Sequence, residues 1–391
     1  MADSATDRST PAAYAAVLAA ALLCYAALGV VLRILPQYVT GDLGGSAFAV
    51  GLSVGAPALT GVVARPIGGR IADRRGPVPV IVAGGVVMAA GVIPAFVHTL
   101  PTLMVSRLAA GAGEGAMMAA SVLWMLRLAG AERRGRAIGQ IGLANYGGLV
   151  TGPLLAEALG AVAHPDRAFA AAVVLPLLGA GVALVASRRA PVPSAAGEEH
   201  ARASGLWRAT FRPGAGLLLV NVGYVALISF GATVVTAHGA GGASLIVPAF
   251  AAAVIIARTA GGSIPDRAGP VRTLLVCAPL EGAGLVMVQA AHGTIGVLAG
   301  AVVTAAGQAL AVPALGLLAL RRVEPRRHGA AAGLFFSWFD LGVGLGGAGV
   351  GLMASVTAPA RALVAAAAAV ACSAPIALVG RSVRRASGQT A

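Results

Sequence analysis

No lysine occurs anywhere in the sequence; all 28 basic residues are arginine. Charge of either sign is scarce, at 11% of 391 residues, less than half of the ~25% usual in a soluble domain. Aromatic residues make up only 4%, so the net charge of +14 comes without the basic stripes and stacking rings of a nucleic-acid surface. The three cysteines, Cys24, Cys277 and Cys372, each sit inside an apolar run with no histidine near in sequence, which argues against a disulfide framework or a metal site. There is no HExxH, no GxSxG, no Walker loop and no Cys/His cluster, so neither an enzyme nor an ATP-driven machine is indicated. The Gly-rich "GAGEGA" at 111–116 falls inside an apolar run with no strand before it, unlike a phosphate-binding loop.

What the chain does have is apolar length. Hydrophobic residues account for 58% and the mean hydropathy is +0.86, the composition of a membrane protein. The 55 glycines, with abundant alanine, suit close helix packing in lipid. A spanning helix needs about 20 mostly apolar residues. Twelve such runs can be placed, at 12–34, 46–66, 78–97, 101–124, 138–160, 167–187, 214–236, 244–263, 271–291, 294–320, 329–355 and 360–380. Their backbones must be satisfied internally, and no alternating polarity suggests a barrel, so an all-α polytopic membrane protein is expected. The N-terminal run is too long for a signal peptide, and Asp3 and Asp7 stand beside Arg8, so it reads as a short tail followed by a retained helix.

Arginines anchor the cytoplasmic ends of spans. They gather at 65–75, 127–136, 188–212, 258–272, 321–327 and 381–385, whereas only Arg167 and Arg361 fall in the opposite loops. Both termini are therefore expected in the cytoplasm, with the chain a multi-pass protein of the inner (plasma) membrane. The hydrophilic stretch 188–213 reads as a cytoplasmic linker, with a short surface helix around Trp207. It divides the chain into halves at 1–187 and 214–391, six spans each.

The halves repeat. "ARPIGGRIADRRGPV" from Ala64 returns as "ARTAGGSIPDRAGPV" from Ala257, 193 residues later, with Arg, Asp-Arg and Gly-Pro in register. A shift of 194 residues aligns Gly139 with Gly333, Gly148 with Gly342 and Gly152 with Gly346. Parallel repeats of six spans, with a substrate path between them, form one large transporter architecture.

On these motifs the chain resembles a major facilitator superfamily (MFS) transporter over essentially its whole length. "GGRIADRRG", Gly68 to Gly76, resembles the family's loop after the second helix, with Gly69, Asp73, Arg74 and Gly76 in matching places. It departs at Pro77, Val78 and Pro79, where the family carries basic residues. "RLAAGAGEG" from Arg107 is similar to the fourth-helix motif with its intramembrane arginine. "GGLVTGPLLAE", Gly147 to Glu157, is similar to the fifth-helix Gly-Pro motif associated with antiporters, without its closing glycines. The Arg65-Pro66 pair before Gly68 and Gly69, with "FDLGVGLGG" in the eleventh span, resembles the exporter branch, the drug-resistance and sugar-efflux permeases. The resemblance implies the MFS fold, twelve transmembrane helices in two pseudo-symmetric six-helix halves, working by alternating access.

The polar residues carry the candidate chemistry. Asp73 and Asp266, with Arg74, Arg258 and Arg267, form a cytoplasmic gate motif. There an Asp can cap a helix N-terminus, and the arginines can bridge across the half, or the arginines set topology alone. Arg107 lies inside the fourth span and needs a partner, and Glu114 shares its face two turns on. Asp340, in "FFSWFDLGVG", is a lone acid mid-span, and burial favours the neutral form that a proton carrier must visit. Glu114, with Arg107 answering its charge, is the rival proton site. Gly148, Gly152 and Pro153 on span five and Gly342 and Gly346 on span eleven read as a packing seam and pivot. Glu281 is mid-span nine, which in this architecture lies outside the cavity, and Arg33 can snorkel to the outer surface. Asn145, Tyr146, Asn221, Tyr224 and Trp338 are substrate-cavity candidates.

The expected function is proton-coupled efflux of a small, partly apolar molecule, a drug or secondary metabolite. The alternative is an importer or facilitator of a sugar or other nutrient, for which cavity amides and aromatics are few. The expected partners are the lipid bilayer, a small-molecule substrate and protons. A monomer without metal or cofactor, powered by the proton gradient, is anticipated.

Overall fold

The computed structural model describes residues 3–129, 134–189, 206–239, 242–321, 323 and 328–378. Among them the regular structure is helical. The first group of helices is α1 (Asp3–Gln37), α2 (Ala47–Arg75), α3 (Pro77–Val92), α4 (Leu100–Ala129), α5 (Arg134–Ala158) and α6 (Pro165–Arg189). The second is α7 (Leu206–Ala237), α8 (Ile246–Gly261), α9 (Ile264–Arg267), α10 (Pro270–Ala290), α11 (Thr294–Leu320), α12 (His328–Val356), α13 (Pro359–Ala371) and α14 (Ser373–Leu378). The chain separates into two compact units, Met1–Glu198 with Val247–Ala252, and Glu199–Ile246 with Ala253–Ala391.

Among the described residues, eleven helices are long and apolar enough to cross a membrane. The expected fifth span is present as α5, 25 residues long, but Asn145, Tyr146, Thr151 and Glu157 dilute it and it is not among the eleven. The expected last span is a single membrane-length segment, Pro359–Leu378, broken into α13 and α14 at Cys372. The linker expected at 188–213 overlaps helix on both sides, because α6 runs to Arg189 and α7 starts at Leu206. Of the arginines used for orientation, Arg133, Arg202, Arg322, Arg326, Arg327, Arg381, Arg384 and Arg385 lie outside the described residues.

Several long helices carry apolar side chains on both their buried and their outer faces. In unit 1, Ile81, Met88, Met117, Trp124, Met125 and Ile141 are buried together. Val86, Val87, Leu177, Leu178 and Val182 are exposed on α3 and α6. In unit 2, Leu217, Phe230, Leu285, Leu315 and Leu363 are buried, whereas Val276 and Met287 point outward from α10. Side chains apolar all round fit helices whose outer solvent is lipid.

The duplicated turn explains its own residues. Between α2 and α3 stands Gly76 alone, at φ +86°, and before α10 stands Gly269 at φ +85°. Side chains rarely adopt this backbone, so glycine is required there. Pro77 and Pro270 follow as the first helical residues, where a missing amide costs nothing. The aspartates are not the N-cap residues of the helices that follow them. Asp73 lies in the last turn of α2 and Asp266 in α9, and the N-caps of α3 and α10 are the glycines, without a side-chain bond.

Candidate functional site: a buried ion pair in the N-terminal unit

The site begins with the glycines of α4. A Cβ on Gly111 would collide with the backbone of Pro57 on α2, and one on Gly115 would lie 3.1 Å from Gly61. Gly113, on another face, would place its Cβ 2.5 Å from the Gly84 carbonyl of α3. "GAGEG" is thus a helix-packing motif that draws α2 and α3 against α4. Glu114 is carried inward between them and is only 4% exposed.

Its carboxylate is fully engaged. The Tyr25 hydroxyl on α1 donates to Glu114 Oε1 at 2.8 Å. Arg65 Nη2 on α2 donates to Oε1 at 3.1 Å and to Oε2 at 3.4 Å. Three helices therefore meet at one acid. Sequence reading gave Arg65 a topological role and left Tyr25 unnoticed. Arg65 sits ten residues before the end of α2, well inside the helix, and that depth was the available signal.

Arg107 is 3% exposed, and its Nε donates to the Ser53 carbonyl of α2 at 3.0 Å. The reason lies four residues further on. Pro57 has no amide, so the carbonyl of Ser53 loses its helical donor. Arg107 fills that vacancy in the ladder. Glu114 takes Arg65 as its cation, and the expected interplay of Arg107 with Glu114 gives way to two separate arrangements along α4. Arg107→Ala should then lower stability by about 1–3 kcal/mol, the range for a buried carbonyl left unpaired. Adding Pro57→Ala restores the amide and should recover most of the loss in thermal unfolding. A double variant no more stable than Arg107→Ala would sink this account.

The glycine seam holds α5 against α1. A Cβ on Gly148 would lie 2.5 Å from the Leu22 carbonyl, and one on Gly152 would overlap the Ala26 carbonyl and Gly29. Pro153 packs on Gly29. Past the seam, Arg33 reaches Glu157 at 2.6 Å through both Nε and Nη2, so it is paired where snorkelling was expected. At the other end of the unit, Asp73 and Arg127 lie 4.0 Å apart, joining the last turns of α2 and α4. Arg74 is exposed beside them.

The second unit repeats the seam between α7 and α12. A Cβ on Gly342 would lie 2.7 Å from the Leu218 carbonyl, and one on Gly346 would lie 3.2 Å from Val222. Here Asn221 is buried within the seam and donates to the Leu217 carbonyl at 2.8 Å.

The sequence profile described as "Major Facilitator Superfamily" matches residues 17–347. The chain belongs to the major facilitator superfamily. It is 30% identical over 356 residues to an uncharacterized MFS-type transporter of Salmonella typhimurium, covering 88% of this chain and 89% of that one. It is also 30% identical over 340 residues to MFS-type transporters of Burkholderia pseudomallei, covering 85% and 83%. A bacterial homologue of the human lysosomal transporter Spinster, solved inward-facing and occupied, superposes with a TM-score of 0.77 at 16% identity, over 94% and 95% of the two chains. A nucleoside transporter superposes with a TM-score of 0.76 at 14% identity, over 94% and 99%. At such identities these structures speak for the fold. The chain is a multi-pass membrane transporter of small molecules and not an enzyme.

Within this MFS transporter the remaining candidates take these places. Asn145 is half-buried and its Nδ2 lies 3.7 Å from Met118 Sδ on α4, while Tyr146 is buried. Trp338 stacks on Trp207 at 5.0 Å and meets Phe211 edge-on at 5.3 Å, so it clamps the start of α7. Tyr224 is half-buried on α7, and Asp340 is buried on α12. Arg258 is half-buried at the end of α8, with Asp266 and Arg267 exposed after it.

Proposed function

We propose that the transporter is a proton-coupled exporter of a small, partly apolar molecule, working by alternating access in the inner membrane with both termini cytoplasmic. The supporting observation is the Tyr25–Glu114–Arg65 cluster. An acid inside a membrane helix, tied to a cation on a neighbouring helix, is a switch that one proton can throw. Protonating Glu114 removes its charge, releases Arg65 and loosens α2 from α4; deprotonation restores the pair. Tyr25 stays within reach of either form, as acceptor or donor. The chain needs no metal or cofactor for this, works as a monomer, and draws its energy from the proton gradient. Asp73 with Arg127 serves as a weak tie at the cytoplasmic ends of the same two helices. The exporter motifs and the scarcity of embedded charge favour apolar cargo.

The test is transport in proteoliposomes. An imposed pH gradient should drive movement of fluorescent apolar compounds by the unaltered protein. Glu114→Gln should retain downhill exchange but lose gradient-driven accumulation, with Asp340→Asn as the comparison. If no gradient drives transport, or Glu114→Gln keeps full coupling, the proposal fails.

A further inference from the structure

The register of the two repeats places a second acid in the other unit. Gly113 of α4 faces Gly84 and Met88 of α3, and the matching Gly307 of α11 faces Cys277 and Glu281 of α10. The unit 2 residue that follows Gly307, in the place of Glu114, is the neutral Gln308. Arg258 stands in register with Arg65. The second unit has therefore lost the acid of the ion pair and gained one in the place of Met88.

Glu281 is 0% exposed. Both of its carboxyl oxygens are buried without a hydrogen-bond partner among the described residues. Oε1 is seated against α7, 2.7 Å from where a Cβ on Gly223 would stand, beside Leu285 and the Val370 methyl of α13. The absent side chain at Gly223 is what makes room for it. Titratable groups on these packed helices are Arg208, Arg212 and Tyr224 on α7, Arg272 and Cys277 on α10, and Arg361 on α13, with none on α11. Cys277 lies one turn earlier on the same helix, and Glu281 makes no hydrogen bond to any of these groups among the described residues. An ionised carboxylate enclosed by apolar groups, without donor or counter-ion, is far costlier than a neutral acid.

We infer that Glu281 is a proton-binding site of the second unit, an exchangeable carboxylic acid inside the membrane that is separate from Glu114. It stands whether or not Glu114 couples transport. It gives this chain two embedded glutamates in different settings, one paired with an arginine and a tyrosine, the other enclosed without a donor.

Infrared absorption of the full-length protein in lipid nanodiscs tests it. At neutral pH the carbonyl stretch of a protonated carboxylic acid should be present, shift in heavy water, and decline reversibly as pH is raised. In an Asp340→Asn background, which removes the buried acid of α12, Glu281→Gln should lose that band, and Glu114→Gln should keep it. If Glu281→Gln does not fold, Glu281→Met, carrying the side chain found at position 88, replaces it. The inference is overturned if the unaltered protein shows no such band, if the band survives in the position-281 variant, or if it does not titrate reversibly. Full pH-driven coupling in Glu114→Gln would sink the proposed function yet leave this result untouched, so the two readings fail separately.

Discussion

Arg65→Met is expected to destabilise the transporter by about 3 kcal/mol, because it strands a buried carboxylate. Glu114→Gln should cost only about 1 kcal/mol. The asymmetry comes from exposure: the Arg65 side chain is 26% accessible and that of Glu114 6%. An arginine that loses its acid can turn its guanidinium toward water or headgroups. A carboxylate that loses its arginine retains only the Tyr25 hydroxyl. The double variant Arg65→Met/Glu114→Gln should return to within about 1 kcal/mol of the parent, since neither charge is then left alone. Unfolding in detergent, followed as a double-mutant cycle, reads the coupling. Penalties that simply add would show that the two groups do not depend on each other.

Gly152→Leu should leave little folded protein. At that position even a Cβ overlaps the Ala26 carbonyl on α1, so the branched side chain must push α5 away from α1. The effect should be graded with the geometry. Gly152→Ala should cost about 3 kcal/mol and Gly148→Ala slightly less, within the usual range for overpacking against backbone. Gly346→Ala, with 3.2 Å to side-chain atoms that can shift, should cost under about 1 kcal/mol. Gly181 and Gly349 have nothing within 4 Å of a built Cβ, and alanine there should gain up to about 1 kcal/mol from helix propensity alone. Yield of monodisperse protein and thermal midpoints measure the series. Equal effects at Gly152 and Gly349 would remove the seam from the account.

The spans and the repeat were readable because both are written in local sequence. An apolar run of membrane length is its own signature, and a Gly-Pro turn recurring in register marks the same backbone twice. The seam was readable for a similar reason, since Gly148, Gly152, Gly342 and Gly346 keep helical spacing. Partnerships were not. Arg65 and Glu114 are 49 residues apart, and nothing in the sequence says which face of α4 meets α2. One bond was legible in principle: Pro57 frees the Ser53 carbonyl, and a buried arginine needs an acceptor. Glu281 was visible as a mid-span acid, but α10 has apolar residues on both its buried and its exposed sides, so no pattern told which way the carboxyl points. The shortness of the turn was legible only in part: the Gly-Pro pair marks it, but the structure shows that a single residue, Gly76, connects α2 and α3.

That single residue has a mechanical consequence. One extended residue spans at most about 3.6 Å, so the junction of α2 and α3 at Gly76 contains no slack. The two rods can pivot about Gly76, but neither can slide along its axis without dragging the other. An axial shift of the Gly76 end of α2 is therefore passed on to α3, as in a bent lever, instead of being absorbed by a loop.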